Sequence, residues 1–500
     1  MTSIGGGIMR LLRLRSIALW LTVVAAVSLV ADAAPAEGAD GVASLALGGS
    51  HSCVLRADGS AACWGWNFYG QLGNGTAESS LAPAEVCGGE PAAGCLPLAG
   101  VVALAGGENH TCAVTEERGV ICWGRNEHGQ LGDGTKVDRE LPVDVCRPLT
   151  NEPVPARCAP LAGIVAIAAG SSHSCAVTDA GGVLCWGGNA RGQLGSGTMV
   201  ERSWAVAVCA AQGEPAGGCE PLTGVAAIAA GNEHTCALMA AGDVRCWGDN
   251  VSGALGDGGD CGEVCPRPVA VCAADAAESS CEPLAGVTAV SGGGRHSCAL
   301  VGDGRVVCWG DNAQGQLGEG AMVDAVAVAA GIGHTCAIDT AGGVVCWGAN
   351  FVSQLGDGTT RASPLPVQVA GLESGVTGLA AGGSHSCALR SEGGVRCWGW
   401  NGDGRLGDGT FAERRTPVKV VGLGDKVAAT PTPVPDTVAG DVDCDGLVDA
   451  IDAALVLQFE AGLLATLSCA AAADVNGDGL VDAIDAALVL QFEAGLIESL

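Results

Sequence analysis

Two stretches near the C-terminus hold the residue types best suited to chemistry: DVDCDGLVDAID from Asp441 and DVNGDGLVDAID from Asp474. Oxygen-bearing side chains stand at the first, third, fifth and ninth places of each, with glycine at the sixth and a carboxylate at the twelfth. Hard oxygens at alternate positions can wrap a hard dication, and the glycine permits the sharp turn between them. In the first loop the ligands would be Asp441, Asp443, Asp445, Asp449 and Asp452, with the backbone carbonyl of Leu447. In the second they would be Asp474, Asn476, Asp478, Asp482 and Asp485, with the carbonyl of Leu480. The expected chemistry is the binding of two Ca2+ ions, one per loop. A merely acidic loop is the plain alternative, and two copies with the same spacing argue against it.

A second set of reactive residues recurs along the chain. His51, His110, His173, His234, His296, His334 and His385 are each followed two residues on by a cysteine, and a second cysteine always comes ten residues after the first. The pairs are Cys53/Cys63, Cys112/Cys122, Cys175/Cys185, Cys236/Cys246, Cys298/Cys308, Cys336/Cys346 and Cys387/Cys397. One histidine and two cysteines make an incomplete zinc site, and every copy would have to share the defect. Disulfides fit better, because the total of 26 cysteines is even and ten of the rest also fall in close pairs. Those pairs are Cys87/Cys95, Cys146/Cys158, Cys209/Cys219, Cys272/Cys281 and Cys261/Cys265, with Cys444 and Cys469 left at the end. A histidine present once in every copy reads as structural, since a catalytic centre is not normally replicated sevenfold. No nucleophile, base and orienting group can be assembled from the sequence, so the chain is read as non-catalytic.

The elements that must carry these residues follow from periodicity. In HSCALRSEGGVRCWG, from His385, two alternating apolar runs flank a turn, which reads as a β-hairpin. If Cys387 faces Cys397, then Leu389 faces Val395 and Trp398 points to the other side. Directly opposed residues should lie about 4.5–5.5 Å apart, within reach of a disulfide. Apolar segments before the histidine and after the LGDGT turn bring the unit to about four strands. Seven four-stranded sheets apolar on both faces suit a radial ring. The fifth copy loses the segment for its fourth strand between Gly320 and Gly331. Copies one to four insert a cysteine pair before the next copy begins, so stapled loops should share one face.

The residues His110, Trp123, Gly124, Asn126, Gly129, Gln130, Leu131 and Gly132 carry a pattern that resembles the regulator-of-chromosome-condensation repeat. The resemblance covers about residues 41–424 and implies a seven-bladed β-propeller. Ala254 and Arg405 depart from it at the glutamine position, and the cysteine pair in every hairpin departs from its familiar nuclear members.

Each acidic loop leads into a helix, with Ile451, Leu455, Phe459 and Ile484, Leu488, Phe492 at four-residue steps as the expected apolar stripes. Residues 446–463 and 479–496 are identical. Two EF-hand-like loop-and-helix units with aspartate at the twelfth place resemble a type I dockerin. That resemblance implies two calcium ions and a cohesin-type partner on a scaffold or surface protein, often in extracellular polysaccharide-degrading assemblies. The residues at the family's recognition positions are Ala450, Ile451, Leu457 and Gln458, and again Ala483, Ile484, Leu490 and Gln491.

The fold class expected is therefore mainly β, a seven-bladed β-propeller followed by a small all-α EF-hand-like dockerin domain. Residues 1–33 read as a secretory signal, with Arg10, Arg13 and Arg15 before an apolar core and a small-residue cleavage site. The propeller spans 41–424, a Thr/Pro-rich linker 425–439, and the dockerin 440–500. The net charge is −30, and cleavage would remove a further +2 to give −32. Such a charge argues against nucleic acid and anionic membranes as partners, and export argues against a nuclear role or nucleotide exchange on a GTPase. The propeller's own ligand stays open between a protein and a glycan. Two other functions also stand: an inhibitor of a secreted enzyme, which some similar secreted propellers are, and a carbohydrate-active enzyme. The aromatic content of 3%, with seven of eleven tryptophans in Cys-Trp-Gly motifs, weighs against the last.

Overall fold

In the computed structural model the first hairpin pairs β2 (His51–Arg56) with β3 (Ala61–Gly65), and Cys53 falls directly opposite Cys63. The same register recurs in every repeat, with Leu389 opposite Val395 in the last. The hairpin disulfides are Cys53–Cys63, Cys112–Cys122, Cys175–Cys185, Cys236–Cys246, Cys298–Cys308, Cys336–Cys346 and Cys387–Cys397. One expectation about them needs correction. Their Cα atoms stand 4.0–4.1 Å apart, closer than the spacing expected for opposed residues. Cys185, Cys246 and Cys346, like most of the set, are fully buried.

β1 (Val42–Leu47) flanks the first hairpin on one side and β4 (Ser80–Glu85) on the other. Six sheets have four strands in sequence order, and the fifth has three among the described residues. The first strands of neighbouring sheets pack against one another around the centre, and that of the seventh meets β1. The result is a seven-bladed β-propeller in which each blade is one unbroken stretch of chain.

The structure describes residues 41–424, apart from short stretches at 90–93, 149–157, 211–218, 260, 274–280 and 320–323. Beyond 424 it describes two helices and five single residues between 442 and 481, in a separate compact unit. The expected signal at 1–33 and the linker at 425–439 lie outside the described residues. No described helix is long and apolar enough to cross a membrane.

The core lies between blades. The disulfide of each blade packs against the tryptophan of the next. Cys53 and Cys63 meet Trp123, Cys112 and Cys122 meet Trp186, and Cys175 and Cys185 meet Trp247. Cys236 and Cys246 meet Trp309, Cys336 and Cys346 meet Trp398, and Cys387 and Cys397 close the circle on Trp64. Alternation puts cysteine on one sheet face and tryptophan on the other, so the motif supplies both halves of every contact layer. Two glycines make this possible. Gly65 has φ +102°, and a Cβ there would stand 2.7 Å from the Ser50 carbonyl. Gly73 has φ +69°, and its Cβ would meet the Trp123 indole nitrogen at 2.7 Å.

Blade 5 shows what the fourth strand protects. Cys308 and Trp309 are half-buried there, whereas the other hairpin cysteines are buried. Thiol–disulfide exchange requires access to a sulfur. Cys298–Cys308 is therefore expected to be the first hairpin bridge opened by mild reductant, read as the first pair alkylated in timed mass spectrometry. Equal rates across the seven blades would contradict this.

β1 ends and β2 begins on one face of the ring, here called the upper face. β4 runs away from it, so the segments that follow the outer strands emerge below. Cys87–Cys95, Cys209–Cys219 and Cys272–Cys281 all lie there, each with its first cysteine bridged to a proline near the second. Cys146–Pro148 and Cys158–Pro160 pair as short strands at the equivalent place in blade 2. The inserted loops of four consecutive blades thus share the lower face.

Candidate functional site

The repeat histidines are fully buried and joined into a ring. The Nε2 of His51 lies 2.8 Å from the Thr111 hydroxyl of blade 2, and His110 lies 2.9 Å from Ser174 of blade 3. The pattern continues through Thr235, Ser297, Thr335 and Ser386 to His385, whose Nε2 meets Ser52 of blade 1 at 2.8 Å. Each hydroxyl donates to a backbone carbonyl of the preceding blade, as Thr111 does to Gln71. The hydroxyl's proton is thereby committed, so each imidazole carries its own on Nε2 and donates it. The same carbonyls accept the indole N–H of the tryptophans, Trp123 to Gln71 and Trp64 to Arg405 among them. Burial pushes His51, His110, His173 and His296 down to about 3, and His234 and His334 to about 4. His385 also falls well below the usual range, through burial first and then the Arg405 charge.

This arrangement latches blade to blade and disposes of the zinc alternative. One nitrogen of each ring, Nε2, is engaged by a hydroxyl, and the sulfurs that would have to complete a site, Cys185, Cys246 and Cys346 among them, are bonded to each other. The one cluster of metal-type ligands among the described residues, Asp257 with Cys261 and Cys265, has its two sulfurs joined as a disulfide. The expectation that these histidines are hydrogen-bonded and structural describes what is found. The sequence reading did not find their partners, although every one of the seven is followed by Ser or Thr.

The seam between blades 7 and 1 differs from the other joints. In blade 1 the Gln71 side chain accepts the amide of Tyr69 within its own loop. At the same position in blade 7, Arg405 reaches across instead and donates to the Gly49 carbonyl at 2.8 Å and the Ser50 hydroxyl at 3.1 Å. Asp403 neutralises it. The departure from the repeat pattern is thus the side chain that clasps the ring where the propeller's first and last blades meet. Beside it, the Gly383 amide donates to Gly48 at 3.2 Å.

The C-terminal unit packs α1 (Ala450–Glu460) against α2 (Ala483–Glu493). Among the described residues its core is Val442, Ala453, Val456, Ala473, Ala486 and Val489. The expected stripes are therefore rotated: Leu455 packs at the edge of the core, and Ile484 is 58% exposed. The physical cause is visible at the twelfth loop position. Asp452 and Asp485 are buried, and their Oδ1 atoms accept the amides of Val442 and Val475 at 2.7 and 2.8 Å. Each helix must turn that carboxylate inward, and the small residues Ala453 and Ala486 follow it to the helix contact.

Of the expected recognition residues, Ala483, Ile484, Leu457, Leu490 and Gln491 are exposed. Ala450, Ile451 and Gln458 lie in α1, with side chains outside the described residues. Of the other loop ligands, Asp441, Asp443, Asp445, Leu447, Asp449, Asp474, Asn476, Asp478, Leu480 and Asp482 also lie outside them. Two buried carboxylates in a segment with twelve acidic residues and no lysine or arginine fit a dication.

The chain belongs to the RCC1-like domain family, which matches residues 148–442, with RCC1 repeats also matched at 42–71, 58–114 and 101–130. Residues 439–492 match the dockerin type I domain, so the molecule is an RCC1-like propeller joined to a calcium-binding dockerin, a protein-interaction module. Among known proteins it is 28% identical to the ultraviolet-B receptor UVR8 of Arabidopsis thaliana over 75% of this chain and 69% of the receptor. It is 32% identical to the probable E3 ubiquitin-protein ligase HERC3 of Homo sapiens over 46% of this chain and 19% of the ligase. The crystal structure of Prp20p from Saccharomyces cerevisiae superposes with a TM-score of 0.53 at 22% identity, covering 74% of this chain and 86% of that one. That likeness is one of fold.

Proposed function

We propose that this is an exported, non-catalytic binding protein whose propeller is held on a cohesin-type module by calcium-dependent docking of residues 440–500, as part of an extracellular polysaccharide-degrading assembly. The observation that carries the reading is the pair of identical helices. Each follows a loop whose twelfth carboxylate is buried, and each presents the same leucine outward, Leu457 at 44% and Leu490 at 43% exposed. The contact would be made by Ala450, Ile451, Leu457 and Gln458, or by Ala483, Ile484, Leu490 and Gln491. The two Ca2+ ions would be held by the carboxylates and carbonyls of the two loops, and would neutralise them and fix each helix start. Export is supported by the cysteines, none of which is free among the described residues. A non-catalytic role is supported by the histidine ring, whose seven imidazoles are committed to holding blades together.

Capture of the full chain on an immobilised type I cohesin tests this. Asp441→Ala with Asp452→Ala should disable one loop and leave binding within about threefold, because the other helix presents the same residues. Adding Asp474→Ala and Asp485→Ala should abolish capture. Loss with the first pair alone would refute the two-orientation reading, and capture by the fourfold variant would refute docking through these loops.

A further inference from the structure

The aromatic content of 3% weighed against a carbohydrate-active enzyme, but the rings the propeller does carry outside its core motif are not scattered. Seven aromatic residues of the propeller lie outside the Cys-Trp-Gly motifs, and six of them fall on three consecutive blades. They are Phe351 on blade 6, Trp400 and Phe411 on blade 7, and Trp66, Phe68 and Tyr69 on blade 1. All six sit in the loops between third and fourth strands, which open on the upper face, opposite the stapled loops. Phe351 and Phe68 occupy the same loop position and are 65% and 66% exposed. Trp400 is the counterpart of Trp66 and is 39% exposed, and Phe411 is 61% exposed.

The loops form a continuous arc. Ser353 of blade 6 bonds Glu413 of blade 7 at 2.5 Å, and Gly404 of blade 7 backs onto Leu81 of blade 1. On blade 1 the rings build one cluster, with Trp66 to Tyr69 centroids at 5.7 Å, Phe68 to Tyr69 at 5.1 Å and Trp66 to Phe68 at 6.4 Å. Neighbouring exposed aromatics on a soluble surface mark a binding face, and such residues dominate protein interfaces as anchors.

We propose that this aromatic arc is a second docking surface, distinct from the calcium-dependent helices, and that it takes a protein segment bearing arginine side chains. Charge selects this occupant. The chain carries 54 acidic against 24 basic residues, which disfavours any polyanion. Within the arc Arg405 and Arg414 are tied to Asp403 and Asp408, and in the same loops Glu78, Asp357 and Glu413 outnumber the one further arginine, Arg361. Aromatic faces attract cations, and guanidinium stacks on them better than ammonium does. The cluster already holds one such contact, because the Arg125 guanidinium carbon lies 5.0 Å from the Tyr69 centroid. Glu127 pairs with Arg125, so the cluster's edge is not left positive.

The test uses the full chain with calcium present and fluorescently labelled nona-arginine as probe. Affinity is read by anisotropy at physiological salt, and contact by hydroxyl-radical footprinting of the exposed rings. The variant Phe68→Ala, Phe351→Ala, Trp400→Ala alters no charge and no buried side chain. Nona-arginine should protect Trp66 and Trp400 from oxidation, and the triple variant should bind it at least about tenfold more weakly. Unchanged affinity in the triple variant would reduce binding to bulk charge and overturn the proposal. So would protection of these rings by a neutral polysaccharide such as xylan but not by nona-arginine, which would make the arc a glycan platform. Cohesin capture reports on the helices alone and should be unaffected by these substitutions.

Discussion

Acidifying the protein from about pH 7.5 to about pH 4 is expected to unfold the propeller in one steep transition. The cause is the histidine ring. Each imidazole is buried and neutral, six with the folded value lowered from an ordinary 6.5 to about 3 or 4 and His385 also well below 6.5. A lowered value means that the unfolded chain binds the proton more readily. The stabilisation is thus complete above pH 6.5 and is lost as the pH falls through the window down to the folded values. At pH 5 each of those six costs roughly 2 kcal/mol, about 12 kcal/mol together, comparable with the whole stability of an ordinary domain, and His385 adds in the same direction. Ionised imidazoles would also be forced together, since each ring lies one hydroxyl from the next blade. Tryptophan fluorescence and circular dichroism against pH should show a midpoint between about 4.5 and 6 and a width under one unit. The substitution His234→Asn should lessen the slope by about one proton. A propeller that keeps its native fluorescence at pH 4 would show that the buried ring does not govern stability.

Removing calcium should have an equally large effect on the other unit. With twelve acidic residues and no basic ones in residues 440–500, the aspartates of each loop repel one another when no cation is present. Among the described residues its apolar core has six buried members with four at the edge, and a domain of about 60 residues rarely stands without a staple. Binding free energy is then folding free energy. Circular dichroism of the 440–500 segment should show most helix lost on adding chelator and regained with calcium in excess. Helicity unchanged by chelator would mean that the loops are not metal-dependent.

Much of this was legible in the sequence because the repeat states its own geometry. Ten-residue spacing of cysteines around a turn admits one hairpin register, and Cys53 opposite Cys63 is that register. Apolar runs on both faces implied that the sheets are covered, but not by what: Cys185, Cys246 and Cys346 lie under the next blade's tryptophan, a contact that only the ring creates. The missing segment after Gly320 announced the three-stranded blade. Three other features were not legible, each for a physical reason. The hydroxyl that accepts each histidine's N–H lies in the next blade, 39–64 residues on for six of them and 333 residues back for His385, and only ring closure brings them together. The helical stripe was misplaced because AIDAALVLQFE is apolar nearly all round, so periodicity selects no face. The aromatic arc was hidden by an average: 3% of the chain says nothing of where six rings stand. Arg405 was visible as a departure, but its meaning required knowing that it sits at the seam.

Calcium-dependent docking is decided by calorimetry of the full chain against a type I cohesin, first in millimolar calcium and then with chelator. One cohesin should bind per chain in calcium, whichever of the two helices makes the contact, and chelator should weaken the affinity by about a thousandfold or more. Equal binding in both conditions, or two cohesins bound at once, would show that these helices do not dock in the way described.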